Sequence, residues 1–401
     1  MNLKNECNLT FSHFLFLWFG AAVSIAEILT GGLLAPLGFQ DGLIAILLGH
    51  LIGTIILVLG GFIGSEARIP ASVSIRISFG VYGSYLFSVL NILQLVGWTA
   101  VMILTAARSV NEITKVLWNY DNFSIWGIGI GALVFLWILL GREGGLKRLN
   151  MVAVFCLFIM TLVLSKVVFH DGAVFSLPAS GTMSFGEALE LSVIMPLSWL
   201  PLIADYTRFA KSNGAAVWGS GLGYFFGSSW MYIIGLGAAL VAANPEPSAM
   251  LLAANLGLAA LGIVVLATVT TTFLDAYSAG VSFSNIVGSF GEKPIALIMT
   301  IIGTVLALLV DMEQYENFLL AIGSVFAPFF AILLTEYFWL QHRRVHDHLL
   351  INWRALCIWA IGVGLYYQLI EMQLVVGATI PVIIFIALFY RLFAKKREFL
   401  Y

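Results

Sequence analysis

Charge is what this sequence has least of. Only 10% of its 401 residues are Asp, Glu, Lys or Arg, and the formal net charge is −2, where an ordinary soluble domain carries about 25% charged residues. So few ionisable groups cannot clothe a chain of this length in water, so its solvent is lipid. The same scarcity excludes nucleic acid, because phosphate recognition needs a concentrated Lys/Arg footprint and the basic residues here are scattered. Cysteine is nearly absent too. Cys7, Cys156 and Cys357 lie far apart without CxxC spacing and read as small apolar packing residues, not as a disulfide framework. His342, His346 and His348 stand among Arg343, Arg344 and Asp347, the composition of a solvated loop and not of a metal cluster. No cleavable leader precedes the first apolar run, which is expected to stay as a span.

Apolar surface is what abounds: 61% of residues are hydrophobic, with a mean hydropathy of +1.00. Runs near the roughly 20 residues needed to cross the hydrocarbon fall at 13–37, 42–65, 84–107, 124–141, 150–169, 188–207, 216–243, 254–284, 295–310, 317–340, 353–370 and 374–394. They predict an all-α integral membrane protein of about twelve transmembrane helices. With the amino terminus inside, all but Arg108, Lys115 and Lys166 of the 19 Lys and Arg fall on inner segments or helix ends, the bias that sets orientation. The outer loops are acidic or neutral, as at Asp171, Glu246, Asp311, Glu313 and Glu316. Both termini are therefore placed in the cytoplasm of a multi-pass plasma (inner) membrane protein.

Two runs look interrupted. The 13–37 run contains Gly20, Thr30, Gly31, Gly32 and Pro36, and the 188–207 run contains Pro196 and Pro201. Each proline removes a backbone donor, and carbonyls freed at mid-depth must line a cavity. The two runs are five apart, an odd number, so equivalent helices of the two halves cross in opposite directions. That is the pattern of an inverted-repeat transporter with its site between discontinuous helices.

Five carboxylates stand deep enough to need a reason, since one at a helix centre costs about 2.5 to 3.5 kcal/mol on insertion scales. Asp205 has Arg208 three residues on and reads as a helix-surface ion pair; Glu190 and Glu336 receive the same reading. Glu27 and Asp275 have no such partner. The 254–284 run also carries Thr268, Thr270, Thr271 and Thr272, with Asp275 one turn after Thr271. Clustered hydroxyls facing carbonyls freed from the first run would suit a hard cation. Gln94 and Trp98 share a helical face. An indole face and an amide together hold a flat heteroaromatic ring, and Trp199 from the proline-flanked stretch adds a second face. An intramembrane enzyme would need a nucleophile with a base or a metal cluster, and His50 stands alone in its span. A channel would repeat polar rings by subunit symmetry, whereas this chain shows one internal duplication.

The run IRISFGVYGSYLFSVLNILQLVGW from Ile75 to Trp98 resembles the second-to-third helix region of the nucleobase-cation symporters, the bacterial cytosine permeases in particular. So do TGG at Thr30–Gly32, ADYTRF at Ala204–Phe209 and YSAGVSFSNI at Tyr277–Ile286. The resemblance implies a leucine-transporter-type fold: a first five-helix repeat over 13–170, an inverted second over 188–340, two further helices over 353–394, and cytoplasmic ends at 1–12 and 395–401. It implies a sodium site from the backbone carbonyls of Gly20 and Ser24 with the hydroxyls of Thr270 and Thr271, and a ring site from Gln94, Trp98 and Ser198 with Trp199 nearby. Ala267 stands where those permeases carry an asparagine, and Glu27 where they are uncharged. Among the subgroups the chain most resembles hydroxymethylpyrimidine permeases. A carboxylate at Glu27 would accept hydrogen bonds from an aminopyrimidine. The expectation is a sodium-coupled importer of a pyrimidine-type ring, acting as a monomer in lipid, with proton coupling through Asp275 or Glu27 as the alternative.

Overall fold

The protein is described by a computed structural model covering residues 8–140, 144–170, 172–244, 258–288, 291–311, 314–345 and 348–393. Cys7, Asp171, Glu246, Glu313, His346, Asp347 and the basic tail at Lys395, Lys396 and Arg397 lie outside the described residues. The helices are α1 Phe11–Ala22, α2 Ile25–Leu33, α3 Phe39–Ala67, α4 Arg76–Trp118, α5 Phe123–Leu140, α6 Gly144–Val168, α7 Phe185–Thr207, α8 Asn213–Ala242, α9 Leu258–Ile286, α10 Glu292–Leu309, α11 Tyr315–Leu334, α12 Trp353–Glu371 and α13 Thr379–Phe393. Among the described residues nine helices are long and apolar enough to span a membrane, and α1 with the segment Ile25–Leu37 makes a tenth, bent by 58°. Ten rather than twelve spans therefore meet that test. α6 and the 15-residue α13 lie where the fifth and twelfth runs were read.

The first run breaks at Val23 and Ser24, not at its glycines. Ser24 is extended (φ −134°, ψ 160°) and its hydroxyl accepts the Glu27 amide, so it caps α2. Gly31 serves packing instead: a Cβ there would overlap the Tyr232 backbone of α8, and one at Gly235 would overlap the Ile28 carbonyl of α2. These two glycines let α2 and α8 touch backbone to backbone.

α7 corrects a second expectation. It runs as one helix through Pro196 and Pro201, although each ring removes an amide donor and crowds the carbonyl one turn back, a cost that membrane helices bear where packed neighbours surround them. It is also the central helix, 94% of its apolar window being buried, against 28% for α5 and α10 and 22% for α12. α3, α9, α11 and α13 pack around it, while α5, α10 and α12 turn broad apolar faces outward. The third run is far longer than 84–107. α4 extends over 43 residues with a kink at Gly80, whose φ of +79° and missing Cβ allow the 349–352 segment to pair with it, Val81 and Tyr82 donating to the carbonyls of Leu349 and Leu350.

The three carboxylates read as helix-surface groups are all buried. Glu190 of α7 accepts from Tyr366 (2.6 Å), the Thr379 hydroxyl (2.6 Å) and the amides of Ala378 (2.7 Å) and Thr379 (2.9 Å), which seats the start of α13 on the central helix. Glu336 is bound by His342 (2.7 Å) and Tyr390 (2.8 Å). Asp205 accepts the Ala71 amide at 3.0 Å, while Arg208 turns to the Asp205 carbonyl and to Tyr277. A buried carboxylate needs several donors, and helices distant in sequence supply them. Cys156 and Cys357, read as packing residues, are exposed on the outer surface, where a small apolar side chain is equally at home in lipid.

Candidate functional site

The break in the first span opens on a small cavity. Its walls are Ser24, Ala26 and Glu27 from the break and α2, Trp98 and Met102 from α4, Met195, Ser198 and Trp199 from α7, and Thr271 and Asp275 from α9. Both tryptophans are 7% exposed. Trp98 is braced edge-on by Tyr315 and Phe318, and Trp199 by Trp18. Trp98, Trp199, Ser198, Glu27, Ser24, Thr271 and Asp275 are thus brought together at one cavity. The two methionines were not anticipated; nothing in their spacing distinguishes them from ordinary core residues.

Not every expected residue reaches the cavity wall. Gln94 stands one turn before Trp98, with its Nε2 donating to Asn91 Oδ1 (2.9 Å) and to the Ser198 carbonyl (3.1 Å). Its Oε1 is buried without a hydrogen bond. The Ser198 hydroxyl donates to the Met195 carbonyl at 2.6 Å. Thr270 is absent from the wall, and its hydroxyl donates back to the carbonyls of Leu266 (2.8 Å) and Ala267 (3.2 Å).

Cation-holding capacity collects where the break faces α9. A continuous helix would give the Ser24 amide to the Gly20 carbonyl, but here it bonds Ala22 at 2.9 Å, and the Ser24 carbonyl receives only a long 3.5 Å contact from Ile28. The Thr271 hydroxyl is buried without a partner. Asp275 has no hydrogen-bond partner among the described residues and lines the same cavity. Freed carbonyls, an unpaired hydroxyl and a carboxylate are the hard oxygen donors that sodium takes.

Glu27 is held on its far side by residues the sequence did not connect to it. Tyr224 donates to Oε1 at 2.9 Å, and Ser228 to Oε2 at 2.6 Å. Ser228 also meets His50 Nε2 at 2.6 Å, and His50 Nδ1 lies 2.9 Å from the Ile46 carbonyl. The pattern fixes a proton count. A carbonyl only accepts, so Nδ1 carries hydrogen; if Ser228 gives its hydrogen to Glu27, Nε2 must carry one as well. The chain therefore closes with one proton beyond a carboxylate and a neutral imidazole, resident on Glu27 or on His50. His50 looked isolated in sequence because its partner is 178 positions away. The Ser24-x-x-Glu27 spacing, a helix-start signature, was the one local signal for the break.

Among the described residues no group of three His, Cys, Asp or Glu could hold a metal in the manner of an enzyme centre.

Residues 8–390 match the family described as permeases for cytosine/purines, uracil, thiamine and allantoin. The chain is 29% identical over 361 residues to the cytosine permease of Escherichia coli (strain K12), covering 87% of this chain and 84% of that one. Among solved structures it is similar to Mhp1, a nucleobase-cation-symport-1 family transporter, in a closed conformation with bromovinylhydantoin bound (TM-score 0.82, 19% identity, 96% and 92% of the two chains). It also resembles a Na+-coupled sialic acid symporter in its substrate-bound outward-open state (TM-score 0.68, 12% identity, 98% and 92%).

Proposed function

The chain belongs to that permease family, the nucleobase-cation symporters, and is a multi-pass membrane transporter rather than an enzyme; from this premise we propose that it imports a pyrimidine-type ring, hydroxymethylpyrimidine foremost, by sodium symport with alternating access. The observation that carries the reading is the single cavity at which the break of the first span, the faces of Trp98 and Trp199, the unpaired Thr271 hydroxyl and Asp275 meet. The ring lies between the indoles, its edge read by Gln94, Ser198 and Glu27. Glu27 retains lone pairs for an exocyclic amine beside the bonds it takes from Tyr224 and Ser228. Sodium binds the carbonyls of Gly20 and Ser24 with the hydroxyls of Thr271 and Thr270, joining α1 and α2 to α9.

In this reading 13–170 and 188–340 are the repeats that rock against each other, 353–394 is an added pair of helices, both termini are cytoplasmic in the plasma membrane, and the monomer is the working unit. Ion and ring tighten each other's binding reciprocally, because each stabilises the same closed joint. The test is tryptophan fluorescence of the purified protein titrated with hydroxymethylpyrimidine, cytosine, thiamine, uracil and allantoin, with and without sodium. Binding and uptake unchanged when choline replaces sodium overturn the sodium assignment.

One observation favours a second coupling ion. The hydrogen-bonded run of Glu27, Ser228 and His50 reaches the cavity wall at Glu27, where binding of a ring would move a proton between its two ends. A flux driven by pH and indifferent to sodium selects that reading.

A further inference from the structure

An amide side chain can show a site either its oxygen or its nitrogen, and the choice decides what the site binds. For Gln94 the choice is made by its neighbours. The end against the Ser198 carbonyl, 3.1 Å away, must be the NH2, since a carbonyl has no hydrogen to give. The second hydrogen of that NH2 goes to Asn91 Oδ1 at 2.9 Å. Asn91 is locked in turn, because its own Nδ2 donates to Ser282 Oγ at 2.8 Å on α9 and points to the Pro201 carbonyl at 3.5 Å on α7. Both hydrogens of Gln94 are thus spent inside the protein. Its Oε1 is left buried with no hydrogen bond, one turn from Trp98 and tied to Ser198, both of which line the cavity. An orphaned buried acceptor carries a desolvation cost that a ligand N–H would return.

We propose that Asn91, held by Ser282, is the positioning residue that fixes Gln94 as an acceptor, and that the transporter thereby selects rings presenting an N–H donor at that edge over rings presenting a carbonyl. A ring carbonyl there would oppose Oε1, acceptor against acceptor. Turning the amide over to receive it would set Oε1 against the Ser198 carbonyl and the NH2 away from Asn91, forfeiting both internal bonds at once. Removing Asn91 halves that cost. The inference rests on the pyrimidine reading above and states what gives that site its selectivity.

The experiment compares cytosine with uracil, whose edges are reversed, a 4-amine beside an N3 acceptor in cytosine and a 4-carbonyl beside an N3–H in uracil, so that the group at position 4 is what meets Oε1; binding is read by fluorescence titration of the purified full-length protein in detergent. The wild type is expected to bind cytosine about tenfold or more tighter. In Asn91→Ala the ratio falls to within about threefold, whereas Asn91→Asp, which keeps an oxygen facing Gln94, preserves it. Loss of a merely structural residue would weaken both rings alike and leave the ratio where it was. Ser282→Ala, one step further out, gives an intermediate ratio and serves as the reporter if Asn91→Ala does not fold. An unmoved ratio in folded Asn91→Ala or Ser282→Ala, or a wild type that prefers uracil, overturns the inference while leaving the pyrimidine reading standing. A wild type that binds neither ring overturns the inference, and one that binds hydroxymethylpyrimidine no better overturns the pyrimidine reading with it.

Discussion

The first span and α7 both carry residues that weaken helices, yet one is broken and the other is not. In the first span the chain bends at Val23 and Ser24, where no glycine or proline stands. In α7 two prolines sit five residues apart in a helix that continues through both. The difference lies in what replaces the lost backbone bonds. A serine cap starts a new helix by taking the Glu27 amide, which makes the bend a stable alternative. A proline within a helix packed on all sides removes one donor and leaves the chain no other course. Composition flags both segments as irregular; only a competing partner turns irregularity into a joint.

That contrast can be tested by substitutions on either side of it. The largest effect is expected where α2 meets α8. Gly235→Ala places a Cβ into the Ile28 carbonyl, with no side chain between them to give way, and should cost about 3 kcal/mol or more, read as loss of the folded fraction in detergent. Glu27→Leu comes next. It leaves Tyr224 and Ser228 without their acceptor in a buried setting and is expected to lower stability by about 2 to 3 kcal/mol in thermal unfolding. The milder Glu27→Gln sharpens the point, since a preserved melting temperature with weakened ring binding would separate the contact to substrate from the tie to α8. Ser24→Ala removes the cap and should destabilise by about 1 kcal/mol, with sodium-dependent binding more affected than melting. The smallest effect is expected in α7. Pro201→Ala restores the amide that a regular helix gives to the Leu197 carbonyl and should change stability by less than about 1 kcal/mol. A large loss there would mean that the proline shapes the site after all.

The legible part of the site was the part written in local periodicity. Gln94 and Trp98 one turn apart, and Thr271 and Asp275 one turn apart, were readable because 3.6 residues per turn fixes a shared face. Trp199 came from its place between two prolines, and Ser198 from the family resemblance. The illegible part was partnership. The expectation that Asp205, Glu190 and Glu336 are surface groups near helix ends failed because their donors, Ala71, Tyr366, Thr379 and Tyr390, come from other helices. The Glu27, Ser228 and His50 chain was hidden in the same way, and so was Asn91, whose role depends on Ser282 at a separation of 191 residues.

By itself the sequence determined that this chain lives in lipid, crosses it many times as helices, and sets aromatic and oxygen-bearing faces toward its interior. Those features follow from the free energy of transferring each side chain and from helix periodicity, both of which are local. The tertiary structure alone decided which buried polar atoms are spent on the protein and which, such as Gln94 Oε1 and the Thr271 hydroxyl, are left for something else. In hydrocarbon a polar atom must find a partner wherever packing brings one, and packing is a property of the whole chain.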